Sequence, residues 1–161
     1  MNTRTKAILV GGLIAGTCDI LYATIYSWFK AAVPPTKILQ SVASGLLGAD
    51  AYNGGTPVAV LGLGLHFFMA LVFATVYVNA ARSWRVLVEK PILCGATFGL
   101  LVYLFMNLVV LPLSRFPNQH FPSTLTLVTS IIVHTLLFGV PIALAARRAW
   151  IGNTAAGTAP A

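Results

Sequence analysis

The chain has 161 residues, 58% of them apolar and only 8% charged, where soluble domains carry about 25% charged residues. That balance excludes an ordinary soluble domain, and the length leaves no room for a soluble catalytic module beside a set of membrane helices. The net charge of +7 does not point to nucleic acid, because the basic residues punctuate the ends of apolar runs and do not gather on one face.

Taken in order, residues 1–6 form a short polar start carrying Arg4 and Lys6. Residues 7–29 are a continuous apolar run, long enough at about 1.5 Å per residue to cross a hydrocarbon core of about 30 Å. The run is too long for the core of a cleaved signal, and Asp19 interrupts it, so it reads as a retained helix. Pro34 and Pro35 end it. In residues 36–56, Ile38, Leu39, Val42, Leu46 and Leu47 recur at helical spacing among Lys37, Gln40, Ser41 and Ser44. That pattern predicts a short amphipathic helix at the membrane surface, with an ordered loop as the alternative. Gly48 and Asn53-Gly54-Gly55 close it. Residues 57–81 form a second span with His66, and Arg82, Arg85, Glu89 and Lys90 make a charged connection. A third span covers 91–113 with Asn107, and a Pro-rich loop follows with Arg115 and His120. The fourth span, 123–146, holds His134 and a Pro141 expected to kink it. Residues 1–151 thus form one transmembrane domain, and 152–161 a disordered tail.

Lys and Arg at the span ends are unevenly divided. Arg4, Lys6, Arg82, Arg85, Lys90, Arg147 and Arg148 fall on one side, against Lys30, Lys37 and Arg115 on the other. The positive-inside bias puts both termini in the cytoplasm and the amphipathic stretch outside.

The spans also repeat. Gly12 and Gly16 open the first and Gly95 and Gly99 the third; His66 lies in the second and His134 in the fourth. The second hairpin reads as a copy of the first without the amphipathic insertion, a parallel repeat of the kind used by transporters. The expected fold is therefore an all-α, four-helix transmembrane bundle, built as two duplicated hairpins with one outer amphipathic helix.

Asp19 is the sole acid inside any long apolar run. A carboxylate at that depth costs at least about 2.5 kcal/mol and so faces protein or a water-filled space. Counting inward at about 1.5 Å per residue puts Asp19, His66 and His134 in one slab near the midplane. Gly12, Gly16, Asp19, Ala23 and Tyr26 share a face of the first span, with Tyr22 beside them. Gly62, His66 and Ala70 share one on the second, Gly95, Gly99, Tyr103 and Asn107 on the third, and Thr126, Ser130 and His134 on the fourth. Small residues in such stripes let helices approach closely. The expected polar cluster is Asp19, His66, His134, Tyr22, Tyr103 and Asn107, with Gly12, Gly16, Gly62, Gly95 and Gly99 as packing positions.

Three readings of the cluster are open on residues alone. It fixes helix register through buried hydrogen bonds; or Asp19 and a histidine form a proton-linked pair; or His66 and His134 hold a haem b, although the expected cofactor count is none. No metal spacing involves Cys18 or Cys94, and no hydrolase motif or carboxylate pair occurs, so no enzyme and no metal site is expected. A small integral membrane protein whose cluster stabilises the bundle and senses or relays protons is the leading functional expectation. The alternatives are a proton-coupled solute or ion transporter, homo-oligomeric because four helices enclose little space, and a non-catalytic accessory subunit that docks a membrane partner. The lipid bilayer is the one partner common to all three.

The glycines of the first span, Pro34-Pro35, His66-Phe67-Phe68 leading into Val72-Phe73-Ala74-Thr75-Val76-Tyr77, Pro112-Leu113 and His134 together resemble the YagU-like group of small bacterial inner-membrane proteins. The chain lacks the long outer loop of that group. The resemblance implies four spans and an inner-membrane location, and it brings no activity with it.

Overall fold

The structure, a computed structural model, describes residues 1–117 and 122–155, with side chains through Gly152. In chain order the helices are α1 (Thr3–Ala31), α2 (Pro35–Leu47), α3 (Gly55–Ser83), α4 (Val86–Glu89), α5 (Pro91–Phe105), α6 (Leu111–Leu113), α7 (Thr124–Val133) and α8 (Val140–Ala155). Wide π-helical turns at Met106–Val110 and His134–Gly139 join α5 to α6 and α7 to α8. No strand occurs among the described residues. Four continuous helical runs, Thr3–Ala31, Gly55–Ser83, Pro91–Leu113 and Thr124–Gly152, are long and apolar enough to cross a membrane. The protein is an all-α, multi-pass membrane protein.

Three features differ from those read off the sequence for a local reason, besides one- or two-residue shifts of the span ends. The first helix starts at Thr3, inside the expected polar start, because the Asn2 side chain accepts from the backbone N–H of Arg4 at 2.7 Å and caps the helix. The fourth continues to Ala155, into the expected tail; residues 156–161 of that tail, and His120, lie outside the described residues. The charged connection contains one helical turn, α4, whose Val88 is buried and whose Leu87 carbonyl accepts from the Tyr77 hydroxyl at 3.0 Å.

The amphipathic stretch is helical, but its packed face is the small, polar one. Gln40, Ala43 and Ser44 are buried, and the Leu39 carbonyl lies where a Cβ on Gly62 would be, 1.8 Å away. Gln40 donates to the Gly55 carbonyl at 2.9 Å. Leu46 and Leu47 point outward instead, 55% and 37% exposed. Ile38, Leu39 and Val42 are half-buried between the two faces, and Gln40 Oε1 has no hydrogen-bond partner among the described residues. Gly48 and Gly55, at φ +74° and +61°, turn the chain around the helix as their lack of a Cβ allows.

Both hairpins close on their glycines. Gly12 packs on the Ala70 carbonyl, Leu71 and Ala74; Gly95 packs on the Gly139 carbonyl, Val140 and Ala143. The two sets correspond residue for residue, except that Ala70 is four residues after His66 and Gly139 is five after His134. The π turn at His134–Gly139 takes up that extra residue. Pro141 lacks an N–H and its ring clashes with the carbonyl four residues back, which the wide turn relieves; Pro112 stands in the same relation to Met106–Val110. Beyond the hairpins the symmetry is incomplete. Gly11 lets α1 and α8 meet against Ile142 and Ala145, whereas the second and third spans stand apart, with Phe73 against Phe105 and Tyr77 against Phe98 between them.

Candidate functional site

The first and fourth spans run antiparallel and face each other along most of their length. The pairs Gly11/Ile142, Asp19/His134, Tyr22/Thr129, Tyr26/Thr126 and Lys30/Ser123 advance along one helix as they retreat along the other. Near the termini the interface is small and apolar: Ala15 and Ile142 are fully buried, and Gly11 lies against Ile142 and Ala145. Toward the α2 side the two helices diverge, and long polar side chains bridge them. Asp19 sits at the boundary between these two halves.

His134 Nδ1 lies 3.6 Å from Asp19 Oδ1 and 3.0 Å from the Ser130 carbonyl one turn back on its own helix. A carbonyl only accepts, so the bond to Ser130 is made with the hydrogen on Nδ1. The contact to Asp19 is electrostatic in length, longer than a hydrogen bond. The ring is held from two sides, edge-on by Tyr103 at 5.2 Å and stacked on Phe138 at 5.9 Å. Phe138 in turn meets Phe73, so an aromatic layer backs the imidazole. The Asp19 and His134 side chains are 16% and 19% exposed, enough for solvent-sized contact where the apolar half is sealed. A carboxylate and an imidazole so placed form an ion pair when the imidazole carries its second proton.

The hydroxyl rungs continue from the pair to the membrane surface. Tyr22 donates to Thr129 Oγ1 at 2.5 Å, and its ring stacks on Tyr26 at 5.3 Å. Tyr26 shares a hydrogen bond of 2.9 Å with Thr126. Lys30 donates to Ser123 at 2.9 Å and to Thr126, and its ammonium lies 5.5 Å from the Tyr26 ring centroid.

The other expected members are placed elsewhere. His66 donates from Nε2 to the Gly16 carbonyl at 2.8 Å, one turn before Asp19, and no hydrogen bond or ion pair joins it to Asp19 or His134 among the described residues. Two facing histidines are what a haem would need, and here the His66 Nε2 is on the Gly16 carbonyl while the His134 Nδ1 is on the Ser130 carbonyl. Asn107 donates to the Tyr103 carbonyl on its own helix at 2.8 Å, inside the π turn. Gly62 serves α2 and not the bundle interior. Gly99 allows the third span to reach the His134 carbonyl, where a Cβ would lie 1.9 Å away. Among the described residues no three His, Cys, Asp or Glu side chains gather as a metal site. Thr129, Ser123 and Lys30 were not singled out from sequence. The signal that finds them is the pairing of Tyr22 and Tyr26, one turn apart, with Thr126 and Thr129 on a partner helix.

In comparisons with known proteins, no family, no curated protein and no solved structure matches the chain.

Proposed function

We propose that the protein is a proton-responsive membrane protein in which Asp19 and His134 form the proton-binding pair and the hydroxyl rungs connect that pair to the α2 side. The 3.6 Å approach of two ionisable groups from separate spans, at mid-depth of both helices, carries this reading. An isolated carboxylate there would be expensive, and an imidazolium beside it lowers the cost. Adding a proton to Asp19 or removing one from His134 ends the ion pair. The rungs at Tyr22, Tyr26 and Lys30 stand about a turn apart, a spacing that single waters bridge readily. On the termini side, the apolar contacts of Gly11, Ile142 and Ala145 offer a proton no partner, so exchange is one-sided in this conformation.

The division of seven basic residues against three supports a bacterial inner-membrane orientation with both termini in the cytoplasm, and the resemblance to YagU-like proteins agrees with it. The rungs then open to the outside. A proton-coupled transporter is the natural extension, since one-sided access to a midplane proton site is half of an alternating-access cycle.

The test is acidification of liposomes loaded with a pH-sensitive dye. Wild-type protein should pass protons after an external pH drop, and Asp19→Asn should remove that flux while leaving the helical circular dichroism unchanged. Equal flux from wild type and Asp19→Asn would sink the reading.

A further inference from the structure

The cations that end the first and fourth spans stand over one groove. Between α1 and α8, on the side away from α3, lies a groove of about 550 Å³. Val10, Ile14, Pro141 and Leu144 line its depth, and Lys6 and Arg148 stand at its mouth. Val10, Ile14 and Leu144 are 39%, 48% and 39% exposed, so the groove opens laterally, where acyl chains run. From Lys6 to Ile14 is about 12 Å at 1.5 Å per residue, the distance from the headgroup layer into the upper acyl region. Arg4 is bonded to Asn79, but the Lys6 and Arg148 side chains are exposed and make no hydrogen bond or ion pair among the described residues.

A polar mouth with two unpaired cations above an apolar trough matches one chemistry: a phosphate esterified to acyl chains. We propose that this groove binds one anionic phospholipid, its phosphate between Lys6 and Arg148 and an acyl chain along Val10, Ile14, Pro141 and Leu144. Basic pockets between spans at a membrane surface favour anionic headgroups, whereas a choline or ethanolamine headgroup would bring a third cation to the mouth. A soluble anion would use the mouth and leave the trough unfilled. A second copy of the chain has little to offer the cations. Its acids are Asp19, engaged with His134, Asp50 on the opposite side, and Glu89 alone on the termini side.

Native mass spectrometry of the full chain, offered equal amounts of phosphatidylglycerol and phosphatidylcholine with identical acyl chains, tests this. One phosphatidylglycerol should be retained per chain in preference to phosphatidylcholine. Lys6→Gln with Arg148→Gln should weaken its retention about tenfold or more, while Arg82→Gln with Arg85→Gln, the same charge loss on the same side, should leave it intact. Leu144→Trp, which fills the trough without touching charge, should lower retention independently. Equal retention of the two lipids, equal loss in both double variants, displacement by millimolar inorganic phosphate, or a lipid-free dimer in place of the adduct would each overturn the proposal.

Discussion

A single hydrogen on His134 Nδ1 links residue chemistry to helix geometry. The Ser130 carbonyl accepts it, which turns the ring so that the same atom faces Asp19. Removing that restraint is not possible by side-chain substitution, but the ring's other supports can be changed. Tyr103→Leu deletes the edge contact at 5.2 Å, and about 0.5–1.5 kcal/mol of aromatic contact should go with it; unfolding of the protein in bicelles measures this. Tyr22→Phe keeps the ring stack on Tyr26 and loses only the bond to Thr129. Interhelical bonds of this kind average about 0.6 kcal/mol, so stability should fall by that order. Proton flux in the liposome assay should fall far more, because a rung has been removed. A flux unchanged by Tyr22→Phe would take the rungs out of the path. Depth along each helix was legible for Asp19 and His134, since counting residues fixes it. Direction around the helix was not: His66 lies at the right depth and faces Gly16, a choice set by how α3 rotates to seat Gly12 and Gly16.

Among the elements, close backbone approach decides what tolerates change. Gly62 and Gly64 are two residues apart on one helix. A Cβ on Gly62 meets the Leu39 carbonyl of α2, while one on Gly64 meets nothing within 4 Å. Gly62→Ala should therefore cost about 1–3 kcal/mol or release α2, as overpacking against backbone does, and Gly64→Ala should be neutral. Limited proteolysis between residues 32 and 55 reads the release of α2 directly. The spans were legible because apolar length is a strong signal. The seating of α2 was not, because its periodicity predicts two faces without saying which one meets protein. The π turns were legible only as a kink at Pro141. In both, a proline follows the polar side chain, five residues after Asn107 at Pro112 and seven after His134 at Pro141 in the longer turn. Pro141→Ala restores the missing N–H and should let an ordinary α turn form, shifting Gly139 off Gly95 and weakening the third span's grip on the fourth.

On the scale of the molecule, two halves of unlike chemistry are stacked along the membrane normal. Small apolar residues seal the termini side, and hydroxyls with one lysine fill the interface of the first and fourth spans on the other. That asymmetry predicts one-sided access. In a background with Cys18 and Cys94 replaced by alanine, Thr129→Cys should react with a membrane-impermeant thiol reagent added from the α2 side, and Ala15→Cys, fully buried one turn after Gly11, should react from neither. Equal labelling of both would remove the seal. The duplicated pattern of glycines and histidines foretold two similar hairpins, but not that the first and fourth spans would close on Gly11 while rings hold the second and third apart.

The pairing of Asp19 with His134 within the bilayer is tested most directly by a double-mutant cycle on the lipid-reconstituted protein, using Asp19→Asn, His134→Gln and the two together. Unfolding free energies should be non-additive, with a coupling of about 0.6 kcal/mol, the average for polar contacts between membrane helices, and up to about 1.7 kcal/mol, the largest found. Strictly additive losses would mean that the two side chains do not meet.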